Sequence, residues 1–93
     1  MDKLLQCRQK IDEIDTKIIE LFEARMDVIK DVVAYKLANN MPVLDASREA
    51  AMLEKNLKKI RNAEYASYYP NILLAFLSAS RKMQEELIDK AQL

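Results

Sequence analysis

Residues 3–39 read KLLQCRQKIDEIDTKIIELFEARMDVIKDVVAYKLAN, with neither proline nor glycine to interrupt them. Taken in alternating steps of four and three, the stretch yields Leu4, Arg8, Ile11, Asp15, Ile18, Phe22, Arg25, Ile29, Val32 and Lys36. That spacing is a heptad seam along one side of a helix. Ile14, Leu21 and Val28 widen it into an apolar face. At 1.5 Å per residue such a helix runs ~55 Å, far longer than the usual helix. Two shorter helices of the same 93-residue chain cannot cover it. The length alone therefore leads us to expect a second copy packed along it.

Outward from this stretch the chain stays helical. Pro42, in Asn39-Asn40-Met41-Pro42, marks a break. Asp45 follows as a plausible N-cap. Pro70, in Tyr68-Tyr69-Pro70-Asn71, suits the first turn of a third helix, and the 62–67 region reads as the connection before it. The expectation is an all-α chain forming a single domain over 1–93, with helices at roughly 3–39, 46–62 and 68–90. Repeats, linkers and low-complexity tracts are absent from the sequence.

Composition narrows the chemistry. Fifteen basic and fifteen acidic residues give a formal net charge of zero, so no broad basic field exists to attract nucleic acid or an anionic membrane. No apolar run approaches the ~20 residues of a bilayer span. Met1 to Lys10 lacks an apolar signal-peptide core, and the lone Cys7 cannot form an internal disulfide. A cytoplasmic location is the default expectation. The sequence holds no histidine, which excludes histidine-based acid–base pairs and most zinc sites, and no glycine, which excludes glycine-rich phosphate loops. We expect neither metal nor cofactor. An enzyme of this composition must work by binding, orienting and presenting fixed charges.

The seam of the first helix is interrupted by Arg8, Asp15, Arg25 and Lys36, and Arg25 is hemmed by Leu21, Phe22, Val28 and Ile29. A charge placed there is costly unless a partner meets it. The third helix has a seam of Leu73, Leu77, Ser80, Gln84 and Leu87, and the second begins with Asp45, Arg48, Glu49 and Met52 on one side. Each feature alone has a bland reading. A seam arginine can snorkel, Ser80 and Gln84 can bond between helices, and Arg48-Glu49 can be a solvated turn. Together, four cations and two neutral polar groups face one interior with few acids, and that set calls for an anionic ligand. Arg25 and Lys36 lie ~16 Å apart along the axis and could bracket a small anion; Arg8, ~25 Å from Arg25, is too far to join them. In an antiparallel dimer crossing near residues 18–22, Arg8 of the partner subunit would enter between them, completing two equivalent sites.

The ordered motif Arg8-x-x-Ile11-Asp12-x-x-Asp15, Arg25, Lys36, Pro42-Val43-x-Asp45-x-x-Arg48-Glu49, Ser80-x-x-x-Gln84 resembles the all-helical (AroQ-class) chorismate mutases over about residues 4–90. The resemblance implies a three-helix protomer in an intertwined six-helix homodimer. It implies the cofactor-free rearrangement of chorismate to prephenate in phenylalanine and tyrosine biosynthesis. It further implies that Arg25, Lys36, Arg48 and Arg8 of the partner subunit hold the substrate's two carboxylates. Ser80 would add a carboxylate contact, and Lys36 and Gln84 would bond the ether oxygen. Glu49, with the backbone at Asp45, would take the hydroxyl. Leu44 departs from the family, since a polar residue often stands there, and the stretch before the third helix is the least family-like. No dehydratase, dehydrogenase or regulatory domain is expected within these 93 residues. Two alternatives stay open: an isochorismate-pyruvate lyase on the same fold, against which Glu49 after Arg48 speaks, and a non-catalytic dimeric helical module.

Overall fold

Asp2 opens the first helix. Its side chain accepts from the Leu4 backbone N–H at 3.2 Å, satisfying one of the four donors that a helix start leaves unpaired. The helix α1 then runs unbroken over Lys3–Ala38. It stops at the asparagine pair. Asn40 adopts a left-handed φ of 52°, a position that glycine usually takes and asparagine tolerates. The Met41 N–H then donates to the Lys36 carbonyl at 2.9 Å, the wide hydrogen bond of a Schellman ending. The chain reverses there and carries Pro42 and Val43 back beside Lys36.

The computed structural model describes residues 2–92. After α1 come α2 (Ala46–Leu57), a short 3-10 helix (Ala63–Tyr68) and α3 (Tyr69–Ala91); there is no strand among the described residues. The three expected helices are present, and Pro70 lies in the first turn of α3. Two boundaries differ from the sequence expectation. α2 ends at Leu57 rather than near 62, because the Lys59 and Ile60 N–H groups bond three residues back, to Asn56 and Leu57. That tightening closes the last turn. The connection is also more ordered than expected. Asn62 caps the 3-10 helix by accepting from the Glu64 N–H at 3.0 Å. The Asn56 amide donates to the Tyr69 hydroxyl at 2.9 Å, tying α2 to the start of α3.

α3 packs against both α1 and α2. Val33, Leu73 and Leu77 form the buried apolar centre, and the Phe22 and Phe76 rings stack beside it with centroids 6.2 Å apart. This is a small core for so long a molecule. The protomer measures 56 × 27 × 15 Å. Its radius of gyration, 16.9 Å, exceeds the ~12 Å of a compact chain this long. The excess comes from α1, where residues 3–21 are exposed at every position. Ile14 is 54% exposed and Leu21 70%. Contiguous apolar exposure of this kind marks an interaction surface.

Candidate active site

The reversal after α1 and the start of α2 place three helices around one cavity of about 430 Å³, within the ~300–1,000 Å³ range of small-molecule sites. α1 contributes Arg25 and Lys36, the loop and α2 contribute Asp45, Arg48 and Glu49, and α3 contributes Ser80, Arg81 and Gln84. Apolar side chains including Val32, Val43, Met52 and Leu77 fill the wall between them. Seven of the eight residues singled out from the sequence thus meet in one pocket. Arg8 is the exception, standing exposed on the uncovered half of α1.

Lys36 is fixed at two points. Its ammonium donates to the Val43 carbonyl at 2.8 Å and to Gln84 Oε1 at 3.0 Å. The first bond depends on the Asn40 reversal, which brings that carbonyl round. The second sets the Gln84 amide, since its oxygen must face a donor-only ammonium. Gln84 is 5% exposed and Ser80 3%. The Ser80 hydroxyl donates to the Leu77 carbonyl at 3.0 Å, so its oxygen lone pairs remain open.

Arg25 is the least satisfied group. One guanidinium nitrogen, Nη1, is buried without any hydrogen-bond partner. Its Cζ lies 5.8 Å from the Phe76 ring centroid, close enough for a cation–π contact but no replacement for a hydrogen bond. Leaving a buried donor unpaired is expensive, and natural structures seldom tolerate it without a reason. Asp45 is already engaged. Its carboxylate accepts from the Arg48 N–H at 3.0 Å and from the Ser47 hydroxyl at 2.9 Å. These bonds, the backbone one foremost, hold it below its ordinary value of 3.8, with Lys36 and Arg48 adding attraction.

Sequence reasoning missed Arg81. It stands one position off the α3 seam, and its Nη1 lies 2.6 and 2.5 Å from the two carboxylate oxygens of Glu49. Only the folded chain brings these two residues of α2 and α3 together. The pocket therefore carries four cations, Arg25, Lys36, Arg48 and Arg81, against two carboxylates, Asp45 and Glu49. The balance is two positive charges, the complement of a dianion.

Residues 7–85 match the family described as chorismate mutase type II. The chain belongs to that family. Its relatives agree. The chorismate mutase of Methanocaldococcus jannaschii is 29% identical, with 99% of this chain and 94% of the relative covered. A bifunctional chorismate mutase/prephenate dehydratase of Buchnera aphidicola is 32% identical over 94% of this chain, and one of Enterobacter agglomerans is 33% identical over 94%. The chain spans only 23% of the length of each of those bifunctional relatives. No solved structure matches the chain significantly. Among the described residues the chain is all-helical, and no helix is long and apolar enough to cross a membrane.

Proposed function

We propose that this pocket binds chorismate and rearranges it to prephenate, and that two such pockets operate in a homodimer. The observation that carries the reading is the buried, unpartnered Arg25 Nη1 in a cavity with two surplus positive charges. A ligand with two carboxylates would satisfy both. Arg25 and Arg48 present planar forks that suit carboxylates, and Ser80 can add a hydroxyl contact once it turns from Leu77.

The reaction is a [3,3]-sigmatropic rearrangement within one molecule. One C–O bond breaks as one C–C bond forms, and no proton changes hands. Catalysis then has two tasks. Gripping both carboxylates holds the flexible side chain over the ring in its reactive form, a conformational restriction. Negative charge developing on the ether oxygen needs donors already in place. Lys36 and the NH₂ of Gln84 supply them. Because the Lys36–Gln84 bond orients that amide before substrate arrives, little reorganisation accompanies the chemical step. Such contacts strengthen in the transition state and so raise kcat rather than only tightening binding. Glu49 accepts the substrate hydroxyl, assisted by the backbone at Asp45.

The uncovered half of α1 supports the dimer, because its apolar face demands a partner. An antiparallel second copy would place Arg8 of the partner subunit over the open side of the pocket. We place the enzyme in the cytoplasm, in keeping with the exposed, unpaired thiol of Cys7. A rigid dicarboxylate that mimics the cyclic transition state tests the site. It should raise the melting temperature by mass action, by ~2.7 kcal/mol of stability at a hundred times its Kd. Loss of that shift in Arg25→Ala is the expected control. An equal shift in both proteins would place the ligand elsewhere.

A further inference from the structure

Arg81 contacts Glu49 through one nitrogen that reaches both carboxylate oxygens, at 2.6 and 2.5 Å. The pair is part-buried, the two side chains keeping 30% and 22% of their exposure, and desolvation offsets much of the attraction in such a pair. Stability is therefore a weak reason for the pair to exist. Its place is more informative, because both residues line the pocket. Of the two pocket carboxylates, Asp45 is tied to the start of α2 by Ser47 and the Arg48 N–H. Glu49 is the one that could turn inward. Unrestrained, it could pair with Arg25 or repel the carboxylates of an incoming dianion.

We infer that Arg81 is a positioning residue that holds the Glu49 carboxylate at the pocket wall, oriented towards the substrate hydroxyl and away from the cations that grip the substrate. A carboxylate has roughly four lone-pair sites, so Glu49 can accept from a hydroxyl while Arg81 keeps its hold. The inference rests on the reading of Glu49 as hydroxyl acceptor. Both substrate and transition state carry the hydroxyl and the two carboxylates. The expected signature is thus a change in uniform binding, seen in KM more than in kcat.

Steady-state kinetics with chorismate on single and double variants tests this. Arg81→Ala should raise KM about ten-fold and leave kcat within about three-fold, as for loss of one charge-assisted contact. Arg81→Lys should bring KM back to within about two-fold, because a single nitrogen makes the contact and an ammonium can replace it. In the Glu49→Gln background, adding Arg81→Ala should change KM by less than about two-fold, since the group to be positioned has gone. If Arg81→Ala does not fold, Arg81→Met, which keeps the apolar stem, is measured in its place. An unchanged KM in Arg81→Ala overturns the inference. So does an equal KM rise in the Glu49→Gln background, which would mean that Arg81 meets the ligand itself. A Glu49→Gln variant with parental KM and kcat would instead remove the hydroxyl-acceptor reading on which the inference rests.

Discussion

At the scale of single residues, Arg25 and Gln84 carry opposite kinds of information. Arg25 keeps a buried donor without a partner, so the ligand-free protein bears a cost that substrate would relieve. Arg25→Leu should therefore raise the melting temperature of the ligand-free enzyme while abolishing substrate binding. The gain expected is ~1–3 kcal/mol, the penalty of one unsatisfied buried group. A calorimetric scan showing a lower melting temperature would contradict this. Gln84 is neutral and needs no proton to donate to the ether oxygen. A glutamate there must first be protonated, and Lys36 at 3.0 Å would favour its charged form. Activity of Gln84→Glu should be confined to acid pH, and a flat kcat profile across neutral pH would count against the assigned role. Both positions were legible in the sequence, because a charge or an amide stands out on an apolar seam. Arg81 was not. It lies off the seam among ordinary charged neighbours, and its partner Glu49 is on another helix.

At the scale of elements, the ends of helices build the site. The left-handed Asn40 ends α1 in a chain without glycine and delivers the Val43 carbonyl to Lys36. Asp45 then starts α2 and presents Arg48 and Glu49 to the pocket. Pro42 and Asp45 announced this break and restart, since proline and an N-cap acid act locally. The early end of α2 and the 3-10 helix were not announced. Residues 58–62 hold no proline or glycine, and the bond that ties α2 to α3 across them, Asn56 to Tyr69, is a contact between helices that local spacing does not reveal. Asp45 also makes a pH prediction. Its carboxyl is held below the unfolded value of 3.8, so its ionised form favours the folded state. That contribution is complete above pH 3.8 and is lost as pH falls through the lowered folded value. Asp45→Ala should lower the melting temperature at neutral pH, and the gap to the parent should narrow in strong acid. A constant gap in thermal melts from pH 7 to pH 2 would remove the charge from the account.

At the scale of the whole molecule, the protomer is too extended for its core. The seam of α1 reads as buried from the sequence, yet residues 3–21 are exposed in the single chain. Heptad spacing reports that a face is to be covered and says nothing of which chain covers it. The proposed dimer would close this gap, and mixing variants tests it. Arg8→Ala and Lys36→Ala should each be nearly inactive. A heterodimer of the two carries one intact pocket and one doubly altered pocket. Random exchange should then restore about a quarter of parental activity. Activity that stays at the level of the separate variants, despite demonstrated exchange, would mean that the pockets are not shared. Whether this pocket rearranges chorismate is read from the loss of chorismate absorbance, with prephenate identified as the product, for the parent and for Lys36→Ala. Rapid conversion by the parent is expected, with a kcat lower by ~10²–10³ in the variant, as for removal of one preorganised donor. A folded parent that leaves chorismate unchanged, or a Lys36→Ala variant as active as the parent, would overturn the assignment of this pocket.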